Sequence, residues 1–166
     1  NESDNLYRTD EFTTVSLKPR PDLRITFADG PDSVQAGGVV DVEFTITNLG
    51  TARTPTGGSR WIDEIRLSMD PYVGGDHILG ELENGSALEP GESYTTRDSF
   101  QLPLGMAGNL YLLVHTDADH DVAEYPGEDN NVYALPIAVN ANPVPPPDLV
   151  VSDVHGPTDV FDGSTF

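Results

Sequence analysis

The sequence predicts an all-β protein, an antiparallel two-sheet sandwich of about seven short strands. Residues 40–47 alternate apolar and polar side chains, which is the period of a strand with one face in a core. Glycine, proline and asparagine punctuate the other apolar runs at short intervals, as expected for tight turns between strands. No stretch shows the period of a helix.

Six further runs are predicted as strands from their β-branched and aromatic content and from the turn signals beside them. Trp61 begins the third strand, where its large ring is expected to fill the space between the two sheets, the alternative being a surface on which a ligand stacks. In chain order, the predicted strands are residues 23–28, 40–47, 61–69, 77–82, 93–102, 110–116 and 132–139.

One segment of the sequence occurs twice. Residues 21–31 read PDLRITFADGP and residues 147–157 read PDLVVSDVHGP. Sliding residues 2–40 onto 128–166 by 126 positions gives 11 identities in 39. We therefore predict a tandem array. Residues 1–18 would form the terminal strand of a preceding repeat, 19–144 a complete repeat, and 145–166 the first strand of a following repeat.

Proline-rich segments separate the predicted repeats, with KPRP at residues 18–21 and NPVPPP at 142–147. Such segments favour extended polyproline II conformations and act as semi-rigid spacers. The terminal strands would have no partner within the chain, so they are expected to complete a neighbouring sheet. Neighbouring copies of the repeat, head to tail, are thus the expected partners, joined by continuous or by donated strands.

The composition restricts the function. The chain has 28 acidic and 8 basic side chains and a formal net charge of -20, so it would repel a phosphate backbone, and nucleic-acid binding is not expected. A saline or calcium-containing exterior would relieve the self-repulsion, and an extracellular or cell-surface location is expected. The longest strongly apolar run, residues 110–114, is too short to cross a bilayer.

Several motifs carry a family resemblance. These are the PDL start, VEFTITNLGT, IRLSMDPYVGGDHILGE, ALEPGESYT and YLLVHTDADHDVAEYPGEDNNVYALPI. In this order, over residues 21–140, they resemble the bacterial cell-adhesion-related domain known as CARDB. The resemblance implies an immunoglobulin-like sandwich repeated along large secreted or surface-anchored proteins. It implies no catalytic residues.

An acidic stretch at residues 117–129 is the strongest candidate for a metal site. Asp117, Asp119, Asp121 and Glu128 occupy positions one, three, five and twelve of a calcium loop. Val122 stands where that loop requires glycine, so an EF-hand is rejected. Two alternatives remain, a solvated acidic turn or a different calcium site with those four ligands. Glu124 and Asn131 sit where the resembled family shows an E-x-x-E-x-N-N trait, which would shape the turn, although here Glu124 lies four positions before Glu128 and not three.

Other chemistry has weaker signals. Asn84 begins an N-x-S tripeptide, which marks either a glycosylation site or simply a turn. No cysteine is present, so a zinc site is not expected. No nucleophile elbow, phosphate loop or H-E-x-x-H motif occurs, and we predict that the chain is not an enzyme.

The expected function is a non-catalytic structural repeat of an extracellular surface fibre or adhesin stalk. The alternative is an accessory module of a secreted hydrolase that binds carbohydrate, such as a surface glycan, or protein. Many copies in the parent protein would favour the stalk, whereas a neighbouring catalytic domain would favour the accessory role.

Overall fold

The computed structural model describes residues 16–55, 60–85, 87–124, 127–142, 150–155 and 163. Within these ranges the chain forms eight β-strands and no helix, so nothing there resembles a helical membrane span. The strands are β1 (Leu23–Asp29), β2 (Ser33–Gln35), β3 (Val39–Asn48), β4 (Trp61–Ser68), β5 (His77–Asn84), β6 (Ser93–Gln101), β7 (Gly108–His115) and β8 (Val132–Asn140).

The strands make two sheets that pack as a sandwich. One sheet has the order β1-β3-β6, and the other has the order β2-β8-β7-β4-β5. All pairings are antiparallel except that of β2 with β8, which is parallel. The all-β sandwich and all seven predicted strands are confirmed.

The strand β2 was not predicted. It is only three residues long and carries one central apolar residue, Val34, which is too little for a period to be visible. It follows Pro31, which has no N–H to donate to a ladder, so the chain leaves the first sheet there and joins the edge of the second.

The core lies between the sheets and is apolar over most of its extent. In β3 the side chains of Val40, Val42, Phe44 and Ile46 are all fully buried, as their alternation predicted. Trp61 is also fully buried, which confirms its expected place between the sheets.

One polar network crosses this core. The Asp63 carboxyl on β4 accepts hydrogen bonds from the hydroxyl of Tyr94 on β6 and from that of Thr116 beyond β7, the latter at 2.7 Å. The Trp61 indole N–H donates to the Tyr94 hydroxyl at 3.2 Å. Asp63 thus ties strands of the two sheets together, although its position inside the core places a carboxyl where no solvent reaches it.

The predicted repeat boundaries fall mainly outside the described residues. Residues 1–15, 143–149, 156–162 and 164–166 are among those not described, so the tandem array stays a prediction. The described sandwich extends from Leu23 to Asn140, inside the repeat predicted at 19–144.

Candidate functional site

The chain enters the sandwich through residues 20–23, which we call the entrance segment. The Arg20 carbonyl accepts hydrogen bonds from the backbone N–H groups of Thr51 and Ala52, at 2.8 and 3.1 Å. The Asp22 carbonyl accepts one from Leu49 at 2.7 Å. The loop that follows β3 therefore holds the entrance segment by its backbone before β1 begins.

Asn48 organises this loop. Its side-chain carbonyl accepts from the N–H groups of Asp22 and Gly50, and its amide donates to the carbonyls of Ala52 and Leu88. All four distances lie between 2.8 and 3.1 Å, and the residue is fully buried. A single side chain thus satisfies backbone groups from the entrance segment and from two loops.

Glu124 holds the entrance segment from the opposite side. Its Oε1 accepts a hydrogen bond from the backbone N–H of Leu23 at 2.8 Å, and only 2% of the residue is exposed. Burial raises the pKa of Glu124 to about 7, although hydrogen bonds from Leu23 and Asn131 lower it in part. The loop between β7 and β8 therefore contributes a buried acid to the start of β1.

Asp117 shapes that same loop. Its backbone lies in the left-handed region, with φ of 48°, and its buried carboxyl accepts from the N–H groups of Asp121 and Val122 at 2.9 to 3.3 Å. Burial raises the pKa of Asp117 to about 6. The carboxyl is used by the turn itself, in the way that aspartate commonly stabilises turns.

The other three proposed calcium ligands are placed differently. Asp119 and Asp121 are exposed, whereas Glu128 accepts from the Glu124 N–H at 2.7 Å and lies 3.3 Å from a ring nitrogen of His120. Within the described ranges, no three histidine, aspartate or glutamate side chains converge on a point that could hold a metal. Calcium binding by Asp117, Asp119, Asp121 and Glu128 stays a prediction.

Asn84 is the last residue of β5 and is half-buried. Its side chain hydrogen-bonds with the Tyr94 hydroxyl. Burial and the neighbouring Asp63 raise the pKa of that hydroxyl, and the contact with Asn84 lowers it in part. This contact gives Asn84 a structural role, and its glycosylation stays a prediction.

A cavity of about 560 Å³ lies against the entrance segment. Its polar lining includes Asp22, Glu124 and Asn130, and Leu17, Lys18, Arg20 and Pro21 of the preceding segment line it as well. The Asn130 amide donates to the Asp22 carboxyl at 3.0 Å. The cavity thus lies where the preceding linker, the first strand and the β7–β8 loop meet.

Asn48 begins the Asn-Leu-Gly turn signal that follows the predicted strand at residues 40–47, but its hydrogen bonds to the entrance segment were not predicted. One signal was present, since position 48 continues the buried positions 40, 42, 44 and 46. An asparagine in the inward register at a strand end must find partners there, because buried amides are rarely left unsatisfied.

Comparisons with known proteins agree with this architecture. The CARDB family model matches residues 20–135. The crystal structure of the CARDB domain of a Pyrococcus furiosus protein, in complex with di-metal ions, is 20% identical and superposes with a TM-score of 0.55. That match covers 76% of this chain and all of the other. A solution NMR structure of the same domain gives 23% identity, a TM-score of 0.52 and coverage of 75% and 100%.

A more distant match is β-glucosidase 3B from Thermotoga neapolitana in complex with α-D-glucose, at 11% identity and a TM-score of 0.47. It covers 72% of this chain and 16% of the enzyme. No curated protein matches the sequence. The two Pyrococcus structures share the fold of the sandwich described above.

Proposed function

Because the chain belongs to the CARDB family, a non-catalytic type of module, we propose that it acts as a structural repeat in an extracellular surface fibre or adhesin stalk. In this role the domain fixes the orientation of the segment before it and keeps successive modules at a constant distance along the array. It bears mechanical load and performs no reaction.

The observation that carries the proposal is the double hold on the entrance segment. Asn48 and its loop bind the segment from one side, and Glu124 binds the Leu23 N–H from the other. A domain joined to its neighbour by a loose linker would not need these contacts. The hold instead fixes the backbone directly after the proline-rich linker.

Charge and linker composition support an extended array. A net charge of -20 makes successive copies repel one another, which favours separation over collapse. The proline-rich segments are stiff enough to maintain that separation. Both features suit a protein that projects from a surface into saline medium.

Electron-spin distance measurements test the hold directly. The chain has no cysteine, so a Lys18→Cys and Glu81→Cys pair can be labelled uniquely. Both positions are exposed, one at the first residue of the proline-rich linker and one on β5. A reference pair, Arg24→Cys with Glu81→Cys, lies wholly within the sandwich.

We expect the Lys18 pair to give a single distance distribution about as narrow as the reference pair. A broad distribution at Lys18 beside a narrow reference would show that the linker pivots freely, and would contradict the spacer role.

Electron microscopy of the parent protein provides the second test. A beaded rod is expected, and a compact globule would count against the fibre.

Assembly through donated strands has its own test, which uses the chain as a separate subunit. Deleting residues 1–17 should abolish polymerisation if those residues complete a neighbouring sheet. Filaments of unchanged length would refute donation and leave covalent continuity as the way that repeats are joined.

A further inference from the structure

One end of the sandwich exposes large apolar side chains. Two loops lie there, residues 69–76 between β4 and β5 and residues 102–107 between β6 and β7, and we call them the exit loops. A cavity of about 450 Å³ is lined from both of them, by Met69 and by Met106. Three large apolar side chains of the exit loops are mostly exposed, namely Met69, Tyr72 and Leu104. Exposed apolar side chains that are grouped rather than scattered mark a surface that binds another molecule.

The exit loops lie beside the point where the chain leaves the sandwich. Gly108, the first residue of β7, pairs with Val139 near the end of β8. Ser68, the last residue of β4, pairs with Tyr111 on β7, so the loop after β4 belongs to the same end of the sheet. β8 ends at Asn140. Whatever follows β8 in the chain therefore begins next to the exit loops.

The opposite end of the sandwich also exposes apolar side chains, around the entrance segment. Leu17 is mostly exposed and Leu49 is half-exposed, and both line the cavity of about 560 Å³ at that end. The carboxyls of Asp22 and Glu124 line the same cavity, but each already accepts a hydrogen bond within the domain. The apolar part of this lining is thus the part that has no partner in the domain.

The two ends also differ in charge. Lys18 and Arg20 line the cavity at the entrance, and within the described ranges neither forms an ion pair. The Arg20 guanidinium donates one hydrogen bond, to the Ala123 carbonyl at 3.3 Å. The exit loops contain two aspartates, Asp70 and Asp76, and no lysine or arginine. The ends of the domain are therefore complementary to each other in charge.

The length of the chain brings the two kinds of end together in an array. Under the shift of 126 positions Thr14 matches Asn140, so the last strand of a preceding repeat is expected to end there. Only residues 15 and 16 separate that position from Leu17, and three residues of fully extended chain span at most about 11 Å. The entrance end of one repeat is then within reach of the exit loops of the repeat before it. This step rests on the proposed tandem array.

We infer that the exit loops of one copy dock on the entrance end of the next copy, with Tyr72 at the centre of the contact. The tyrosine covers the apolar side chains around the entrance cavity, while the two aspartates of the exit loops face Lys18 and Arg20. Tyrosine is enriched at the centres of interfaces, and opposite charges at the rim fix the orientation of the partners. Such contact is compatible with a net charge of -20, because unlike charges meet at this surface.

Nuclear magnetic resonance with a spin label tests this contact between separate chains. The chain has no cysteine, so Thr51→Cys places a single label at an exposed position of the entrance end. The labelled chain is mixed with isotope-enriched wild type at about 1 mM, the effective concentration that a short linker supplies. We expect selective broadening of the amide signals of residues 69–76 and 102–107. A label at Gln35→Cys, exposed at the exit end, should leave those signals sharp.

Variants identify the side chains that make the contact. Tyr72→Ser should weaken the dissociation constant by about fivefold or more, as expected for a central interface residue. Lys18→Ser should weaken it by about two- to fivefold. Arg97→Ser is the matched control, since it removes an equal charge from an exposed position on β6 and should leave the affinity unchanged. Fluorescence of the buried Trp61 verifies that each variant folds.

Three results would overturn the inference. A dissociation constant above about 10 mM would leave the contact open even between linked repeats. Broadening of the exit-loop signals by the Gln35 label and not by the Thr51 label would show that like ends associate. Affinity unchanged in Tyr72→Ser would place the contact elsewhere. The spacer role has a separate readout, because narrow distances for the spin-labelled Lys18 pair would uphold it even if the two ends did not bind.

Discussion

The carboxyl of Glu124 accepts a hydrogen bond from the backbone N–H of Leu23 at 2.8 Å, across 101 positions of sequence. This contact connects the loop before the last strand with the first residue of β1. Leu23 is fully buried, so its N–H has no access to water and depends on that acceptor. The first and last parts of the domain are thereby fixed to each other.

Replacing Glu124 by leucine should therefore destabilise the domain. The substitution fills a similar volume but leaves the Leu23 N–H buried without an acceptor, which costs about 1–3 kcal/mol of unfolding free energy. Glu124→Gln retains an acceptor and should cost much less. Urea denaturation of the two variants measures the difference, and equal stability would show that the hydrogen bond contributes little.

Asn48→Ala should be more damaging than either change. The variant leaves two backbone N–H groups and two carbonyls without the bonds that this side chain now supplies. A loss of at least about 3 kcal/mol is expected, because each buried group carries its own desolvation cost. Asn109→Ala, on an exposed position of β7, serves as the matched control and should change stability by less than about 0.5 kcal/mol.

Asp63 should make the domain less stable as pH rises through the acidic range. Burial raises its pKa to about 6, against hydrogen bonds from Tyr94 and Thr116 that lower it. The folded state then holds a proton that the unfolded state releases near pH 4, so the stabilisation is complete below about pH 4 and is lost as pH rises through 6. A pKa raised from its ordinary value near 4 to about 6 corresponds to about 3 kcal/mol of unfolding free energy.

The measurement is the unfolding free energy of wild type and Asp63→Asn between pH 4 and pH 7, with a chelator present. The amide that replaces the carboxyl cannot titrate. The unfolding free energy of the variant should therefore fall less steeply with rising pH than that of wild type. The raised pKa values of Asp117 and Glu124 act in the same direction, so a residual slope is expected. Identical slopes in the two proteins would contradict the assignment.

The strands were predictable because burial of one sheet face imposes a period of two, and residues such as Val42 and Phe44 obey it. β2 was not, since three residues carry no measurable period. Asp63 shows a second limit. Its position is in register with Trp61 and Ile65, both buried, yet a carboxyl in the core is tolerated only through partners on other strands. Those partners follow from the tertiary fold, which local sequence does not specify.

The site was predictable only in part for the same reason. The acidic character of residues 117–129 was evident, but the sequence could not separate Asp117, which turns its carboxyl onto the loop backbone, from Glu124, which reaches β1. Charge counting treats all carboxylates alike. Burial and long-range hydrogen bonds distinguish them, and both depend on how the strands pair.

Gly50 provides the last prediction, because it lies where two backbones meet. A Cβ at this position would overlap the carbonyl oxygen of Arg20 and the N–H of Asp22, so Gly50→Ala must push the entrance segment away from its loop. Main-chain atoms cannot rotate aside as a side chain can, and a loss of about 2 kcal/mol or more is expected. Gly74→Ala, with no atom within 4 Å of its new Cβ, should be close to neutral. Thermal denaturation of both variants checks this, and the spin-labelled Lys18 pair should broaden only in the Gly50 variant. Equal melting temperatures would mean that the loop yields easily and that the entrance segment is held less firmly than its contacts indicate.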